Sequence, residues 1–233
     1  MRTTAIVLSA GQGKRLGADI PKQYIDAGGH PLLYYCLKAF EESNIDDVIV
    51  VAEEEYFDLI KNLGFSKISA IVKGGEKRYD SVYEGLKAAE GTDYVLIHDG
   101  ARPFIKPAVI NALIEEVIKC EAVIAGMPMK DTVKIANSKG YIVSSTERRF
   151  TWMVQTPQCF RYDMIRASYE KVLAEVAEGI RNIALITDDA YVFSEGFIDC
   201  PVKLFEAGYD NIKVTTPGDL RYARFMVDSV INK

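Results

Sequence analysis

Apolar residues fall into short solid runs, separated by stretches where they recur every three or four positions. Thr4 to Leu8, Asp47 to Ala52, Lys67 to Val72 and Tyr94 to Ile97 have the length of strands. Ala5-Ile6-Val7-Leu8 and Val48-Ile49-Val50-Val51 are apolar at every position, which predicts strands covered by helices on both faces. Pro31 opens a helix at its first position, with Leu33, Cys36, Leu37 and Phe40 on one face. Glu53 to Leu63 reads as a helix ending at Gly64, and Arg78 to Ala89 as one stopped near Gly91. Ala108 to Lys119 carries Val109, Ile110, Leu113, Ile114, Val117 and Ile118 at helical spacing. This alternation predicts an α/β fold with a largely parallel mixed sheet and helices on both faces.

After Val123 to Gly126 the pattern breaks. Thr132 to Ile135 and Tyr141 to Ser144, separated by the polar turn Asn137 to Gly140, read as a hairpin projecting from the body or lying on its surface. Helices follow at Asp163 to Ala177 and Asp188 to Ser194, and strands at Val202 to Phe205 and Ile212 to Val214. A terminal helix begins at Pro217, its buried stripe Leu220, Ala223, Val227 and Val230. With no repeat, low-complexity tract or linker, residues 1–233 read as one domain with an arm at about 128–150.

The first strand runs into Ser9-Ala10-Gly11-Gln12-Gly13-Lys14-Arg15-Leu16-Gly17, then Pro21-Lys22-Gln23. Glycines after a strand let backbone N–H groups approach an anion, and Lys14, Arg15 and Lys22 add charge. The pattern suits a polyphosphate. It is not the dinucleotide fingerprint, whose sixth position is glycine where this chain has Leu16. Nor is it a Walker loop, because Gly13-Lys14 is followed by Arg15 rather than Ser or Thr.

Composition narrows the function. A net charge of -5 argues against a general nucleic-acid binder, so the basic loop is local and aimed at a small anion. No apolar stretch approaches the roughly 18 residues of a membrane span, and no signal-peptide core stands at the N-terminus. Cys36, Cys120, Cys159 and Cys200 lack metal-ligand spacing and read as free thiols, an expectation of a cytoplasmic protein. His30 and His98 are the only histidines, too few to suggest a zinc site or a serine-hydrolase triad.

The loop Ala10 to Gly17 with Pro21-Lys22-Gln23-Tyr24 resembles the signature of sugar- and polyol-phosphate nucleotidyltransferases. Further blocks follow in order: Gly74-Gly75-Glu76-Lys77-Arg78 with Asp80-Ser81-Val82, His98-Asp99-Gly100-Ala101-Arg102-Pro103, and Pro128 to Lys134. Trp152-Met153-Val154-Gln155-Thr156-Pro157-Gln158, Thr187-Asp188-Asp189-Ala190 and Asn211-Ile212-Lys213-Val214-Thr215 complete the set. Together, from Ala5 to about Val227, they resemble the 2-C-methyl-D-erythritol 4-phosphate cytidylyltransferase family.

That resemblance implies a Rossmann-like nucleotidyltransferase fold, CTP and a polyol phosphate as substrates, Mg²⁺ as cofactor, and a homodimer interlocked through the arm. It implies that Arg15 and Lys22 face the triphosphate, with Lys14 beside them and Gly11 and Gly13 offering backbone donors. Ala10, Gly75 and Ser81 match positions that contact the base, although Ser81 equally suits a helix cap. The ribose is expected near Asp99, Gly100 and Ala101, with Gly100 where the family commonly has alanine. Asp99 is the expected metal ligand, with Asp210 a second or simply a turn carboxylate, and Arg102 a salt-bridge partner holding its loop. Thr132, Arg148, Thr156 and Lys213 match positions gripping the acceptor, Arg148 acting across the dimer with Arg149 its one-residue alternative. Lys213 is read as strand-borne, where a buried cation calls for an anion. The competing reading is a ribitol-phosphate or other polyol-phosphate cytidylyltransferase.

Overall fold

The apolar runs pair edge to edge in the computed structural model, which describes residues 1–11, 20–182, 184, 186–197 and 199–231. In chain order the strands begin with β1 (Thr3–Leu8), the short pair β2 (Asp26–Ala27) and β3 (His30–Pro31), β4 (Asp47–Ala52), β5 (Ile68–Lys73) and β6 (Tyr94–Asp99). They continue with β7 (Ala122–Pro128), β8 (Lys134–Ala136), β9 (Ile142–Ser145), β10 (Trp152–Arg161) and β11 (Lys203–Glu206). The helices are α1 (Leu32–Glu41), α2 (Phe57–Lys61), α3 (Arg78–Ala88), α4 (Pro107–Cys120), α5 (Tyr162–Ala177), α6 (Asp189–Gly196) and α7 (Pro217–Met226).

Seven strands form one sheet in the order β11-β7-β10-β6-β1-β4-β5. All neighbours are parallel except β10, which runs antiparallel to both β6 and β7. Alternate residues of each strand serve opposite faces. On one face Ala5, Val7, Val48, Val50 and Leu96 meet Leu33, Leu37 and Phe40 of α1 and Leu113 and Val117 of α4. On the other, Ile6, Ile49, Val51, Val95 and Ile97 meet Val82 and Leu86 of α3, Ile165 and Tyr169 of α5 and Phe193 of α6. Each Val, Leu, Ile or Phe among them contributes roughly 1.5–3 kcal/mol on burial, so the sheet is a rigid base for the loops at its edge. Ala223 of α7 and Val227 pack on Leu32, Tyr35, Phe104 and Val214; the side chain of Val230 lies outside the described residues.

Two expectations fail, and one strand goes unpredicted. Glu53 to Leu63 is not one helix: a 3-10 turn, Glu54–Tyr56, precedes α2, and the Tyr56 ring stacks on Tyr24 with centroids 3.7 Å apart. Ile212 to Val214 is not a strand; its backbone bonds the loop after β6, Val214 N donating to the Ala101 carbonyl at 2.9 Å. β10 is the strand the hydrophobic pattern hides, because Pro157 argues against a central strand. The ladder with β7 shifts register between Val154 and Gln158, and the missing N–H of Pro157 falls in that interruption.

The arm pairs only with itself. β8 and β9 form a separate antiparallel sheet, exposed at every position, displaying Ile135, Ile142 and Val143.

Candidate active site

Chain order reverses direction across β1, with β4 on one side and β6 on the other. Ligands of open α/β sheets bind at the carboxyl ends of such strands. A cavity of about 600 Å³ opens there, lined by Leu8, Ala10 and Gly11 after β1, Glu53 after β4, Gly75 to Arg78 after β5, and Asp99 and Ala101 at the end of β6. Lys22, Gln23, Ser81, Lys213 and Thr215 complete it.

Lys22 is placed by the turn that follows Pro21. Gln23 and Tyr24 are buried beside it: Gln23 Nε2 donates to the carbonyls of Ser9 (2.6 Å) and Gly11 (2.7 Å). Ser9 Oγ donates to Tyr24 Oη at 2.8 Å, so the turn is tied to the end of β1 and Lys22 lines the cavity. The expected phosphate residues Gly13, Lys14 and Arg15 lie outside the described residues.

The opposite wall is the glycine turn before α3. A Cβ on Gly74 would stand 2.3 Å from the Cβ of Ala10, so only glycine lets the two loops touch. Ser81 is not a helix cap: α3 starts at Arg78, and the Ser81 hydroxyl accepts from Gly75 N at 3.1 Å and donates to the Lys77 carbonyl at 3.2 Å. Gly100 is packed tightly, since a Cβ there would approach Leu8 O and Leu33 Cδ1 to 2.9 Å.

Asp99 stands at the centre of the charge. Its Oδ2 is 2.6 Å from Lys213 Nζ and 3.9 Å from Arg102 Nε, and its Oδ1 is 3.3 Å from Arg78 Nε. Burial alone would raise its pKa, but Arg78, Lys213 and Arg102 together hold the carboxyl far below the usual range. Arg78 also grips Asp189, which is fully buried and receives Tyr169 Oη at 2.6 Å. Burial pulls the Arg78 pKa down; Asp189 and Asp99 outweigh it and carry it well above its ordinary value. Beneath Asp99, His98 is fully buried, and desolvation lowers its pKa to about 4, so the ring is neutral.

The acceptor candidates are not gathered together. Lys213 lines the cavity, on a segment where Asn211 Nδ2 donates to Gln155 Oε1 (3.0 Å) and the Thr156 carbonyl (2.9 Å). Thr156 is buried behind Asp99, its hydroxyl accepting from Asp99 N at 3.0 Å, and does not line the cavity. Thr132 and Arg148 are exposed on the arm and its base, where Arg148 Nη1 donates to the Lys130 carbonyl at 3.2 Å. Asp210 also falls outside the lining, its half-exposed carboxylate 3.8 Å from Lys106 Nζ. Arg102 does hold its loop, donating from Nη1 to the Asn211 carbonyl at 2.9 Å. Arg78, Gln23 and Asp189 join the site without having been singled out, although the blocks carrying them were visible.

Asp99 amid Arg78, Arg102 and Lys213, with Lys22 lining the same cavity, suits a polyphosphate and a divalent ion brought with it. Mg²⁺ commonly takes one or two carboxylates plus phosphate oxygens and water, which Asp99 fits. Among the described residues no cluster of three or more His, Cys, Asp or Glu forms a cage of its own.

The family model for IspD, 2-C-methyl-D-erythritol 4-phosphate cytidylyltransferase, matches residues 3–229. A protein of that name from Lachnospira eligens is 42% identical over 226 residues, covering 94% of this chain and 96% of its own. One from Lachnoclostridium phytofermentans is 43% identical over 231 residues, covering 95% and 94%. The crystal structure of 4-diphosphocytidyl-2C-methyl-D-erythritol synthase from Anaerococcus prevotii superposes with a TM-score of 0.84 at 33% identity, covering 97% of this chain and 96% of its own. Sequence, fold and cavity agree, and the chain belongs to the 2-C-methyl-D-erythritol 4-phosphate cytidylyltransferase family.

Proposed function

We propose that this chain transfers CMP from CTP to 2-C-methyl-D-erythritol 4-phosphate in the cavity at the carboxyl ends of β1, β4, β5 and β6. A phosphate oxygen of the acceptor forms a bond to the α-phosphorus, the bond from that phosphorus to the bridging oxygen breaks, and pyrophosphate leaves with the electron pair. The attacking oxygen is anionic at neutral pH and needs no general base. The demand falls instead on positioning two polyanions and stabilising the charge of the in-line transition state. The observation that carries this reading is the meeting of Lys22, Arg78 and Lys213 in one cavity with a single central carboxylate.

In this reading Lys22, with Arg15 and Lys14, holds the triphosphate, while Ala10 and the Gly75–Ser81 turn receive the base. Asp99, together with phosphate oxygens, would hold Mg²⁺, which would supply charge neutralisation at the phosphates. Asp99 meets Lys213, so Lys213 serves the junction of donor and acceptor rather than the acceptor alone. Thr132 and Arg148 reach the acceptor in a homodimer, across the arm, whose exposed Ile135, Ile142 and Val143 supply an apolar contact face. Four free cysteines suit a reducing compartment, and the cytoplasm is the proposed location.

Pyrophosphate release from CTP, with methylerythritol phosphate and ribitol 5-phosphate offered in turn, tests the assignment. Large preference for the first, lost with chelator and restored by Mg²⁺, supports it; preference for ribitol 5-phosphate overturns the acceptor, and full activity in chelator overturns the metal.

A further inference from the structure

Three carboxylates line the cavity: Asp99, Glu76 and Glu53. Asp99 is surrounded by Arg78, Arg102 and Lys213, and Glu76 pairs with Lys77 at 3.2 Å. Glu53, the residue after β4, is different. Among the described residues its half-buried carboxylate has no hydrogen bond or ion pair, although its neighbour Glu54 pairs with Lys73 at 3.5 Å. A carboxylate can only accept. A nucleoside triphosphate entering the cavity must therefore bring a donor to Glu53 or set negative charge against it.

The place of Glu53 in the sheet decides which donor it meets. Leu8 of β1 pairs with Val51 of β4 on one side and with Asp99 of β6 on the other, so Val51 and Asp99 stand two strand spacings apart, about 10 Å. Glu53 lies two residues beyond Val51, too far from Asp99 to share a metal ion or a ribose with it. The glycine turn is close. Gly74 N donates to the Ala52 carbonyl at 3.0 Å, and Gly74 packs on Ala10. Ala10, Gly75 and Ser81 receive the base in the cytidylyl-transfer reading, so the donor beside Glu53 is one on the edge of the base. Cytosine carries an amino group at its fourth ring position, where uracil carries a carbonyl oxygen.

We propose that Glu53 is a specificity residue for cytosine, its carboxylate accepting from the amino group and repelling the carbonyl oxygen of uracil. The proposal rests on the cytidylyl-transfer reading above. A carboxylate is the natural acceptor for the cytosine amino group, and a site built to meet a donor rejects the analogue that lacks it. Glu53 thus governs which base enters, while Lys22 and Lys213 serve the phosphates.

Glu53→Gln keeps the size of the side chain and breaks no bond within the protein, so its melting curve should match the native one. Its amide can accept from the cytosine amino group and donate to the uracil carbonyl, so it serves both bases. Pyrophosphate release and calorimetric binding are measured with CTP, UTP and the triphosphate of 2-pyrimidinone riboside, which has only hydrogen at the fourth position. The native order of preference should be CTP, pyrimidinone, UTP. In Glu53→Gln the CTP-to-UTP ratio of kcat/KM should fall roughly ten- to a hundredfold, the size of one charge-assisted bond, while the pyrimidinone nucleotide changes less than about threefold. Glu54→Gln, outside the cavity lining, should keep the native ratio. An unchanged ratio in Glu53→Gln, an equal loss with all three nucleotides, or an equal fall in Glu54→Gln overturns the proposal.

Failure of the transfer reading shows separately, as a native protein that releases no pyrophosphate from any of the three with methylerythritol phosphate present. Binding then decides for Glu53 alone. A native preference for CTP that Glu53→Gln loses supports the assignment; a preference that persists, or none in the native protein, overturns it.

Discussion

The Arg78 guanidinium holds Asp189 through two hydrogen bonds, 2.9 Å from Nη1 and 2.7 Å from Nη2, while its Nε faces Asp99. One side chain thus joins the start of α6 to the end of β6, and Asp189 has no exposure to water. Arg78→Ala leaves that carboxylate buried without its cation. The expected destabilisation is about 3–5 kcal/mol, a fall in Tm on the order of 10 °C. Thermal melts check it, and Arg78→Lys should recover only part, because lysine lacks the two-pronged geometry.

Lys22→Ala should lower turnover by at least about a hundredfold, the loss seen when a single transition-state donor is removed. Its melting curve should match the native one, since the turn is held by Gln23 and Tyr24. Steady-state kinetics beside a melt decide it; near-native turnover removes Lys22 from the reaction.

Lys213→Ala removes a charge-assisted contact worth about 1.5–3 kcal/mol, so turnover should drop roughly ten- to a hundredfold. Because Lys213 meets Asp99 inside the cavity, CTP binding measured by calorimetry should weaken as well. A loss confined to the acceptor's KM places Lys213 on the acceptor alone.

Ile135→Lys with Ile142→Lys should yield a monomer by light scattering and weaken acceptor use more than CTP binding. A lone two-stranded hairpin is marginal in water, and these side chains have no cover within the chain. A native protein that is already monomeric at assay concentration refutes the dimer.

Alkaline conditions should destabilise the protein through its thiols. Burial pushes the Cys36 pKa up to about 12 from 9.0, and Cys159 moves in the same direction. Between those values the unfolded chain releases a proton that the native state keeps, so stability is lost as pH rises above 9. Denaturant melts at pH 8 and 10.5 should differ by about 2 kcal/mol per thiol, and Cys36→Ala should flatten the alkaline limb.

The parallel half of the fold was legible because β1, β4, β5 and β6 are covered on both faces and therefore apolar throughout. β10 was not, because Pro157 interrupts the ladder at the place where Gln155 and Thr156 leave it to reach Asn211 and Asp99. The local rule was broken where the site is built. Lys22 and Asp99 could be named from their position after apolar strands. Thr156 also stood in a visible block, but that its hydroxyl faces the Asp99 amide depends on the fold and not on that block. Arg78 and Asp189 lie far apart in the chain, and nothing in either local sequence reveals that they are partners.

The antiparallel β10 also dictates an order of construction. It is made after β6 and β7 yet sits between them. While the chain is being synthesised, β6 presents a bare edge, and β7 has no place beside it until Arg161 has emerged. Such an edge is an open template for foreign strands. Chains ending before Trp152 should therefore aggregate rather than persist as a stable half-sheet. The backbone of Asp99 receives its Thr156 anchor in the same event that seals the sheet. Joining β6 to β7 and anchoring Asp99 are therefore one step, and Asp189 and Lys213 reach Arg78 and Asp99 only after it.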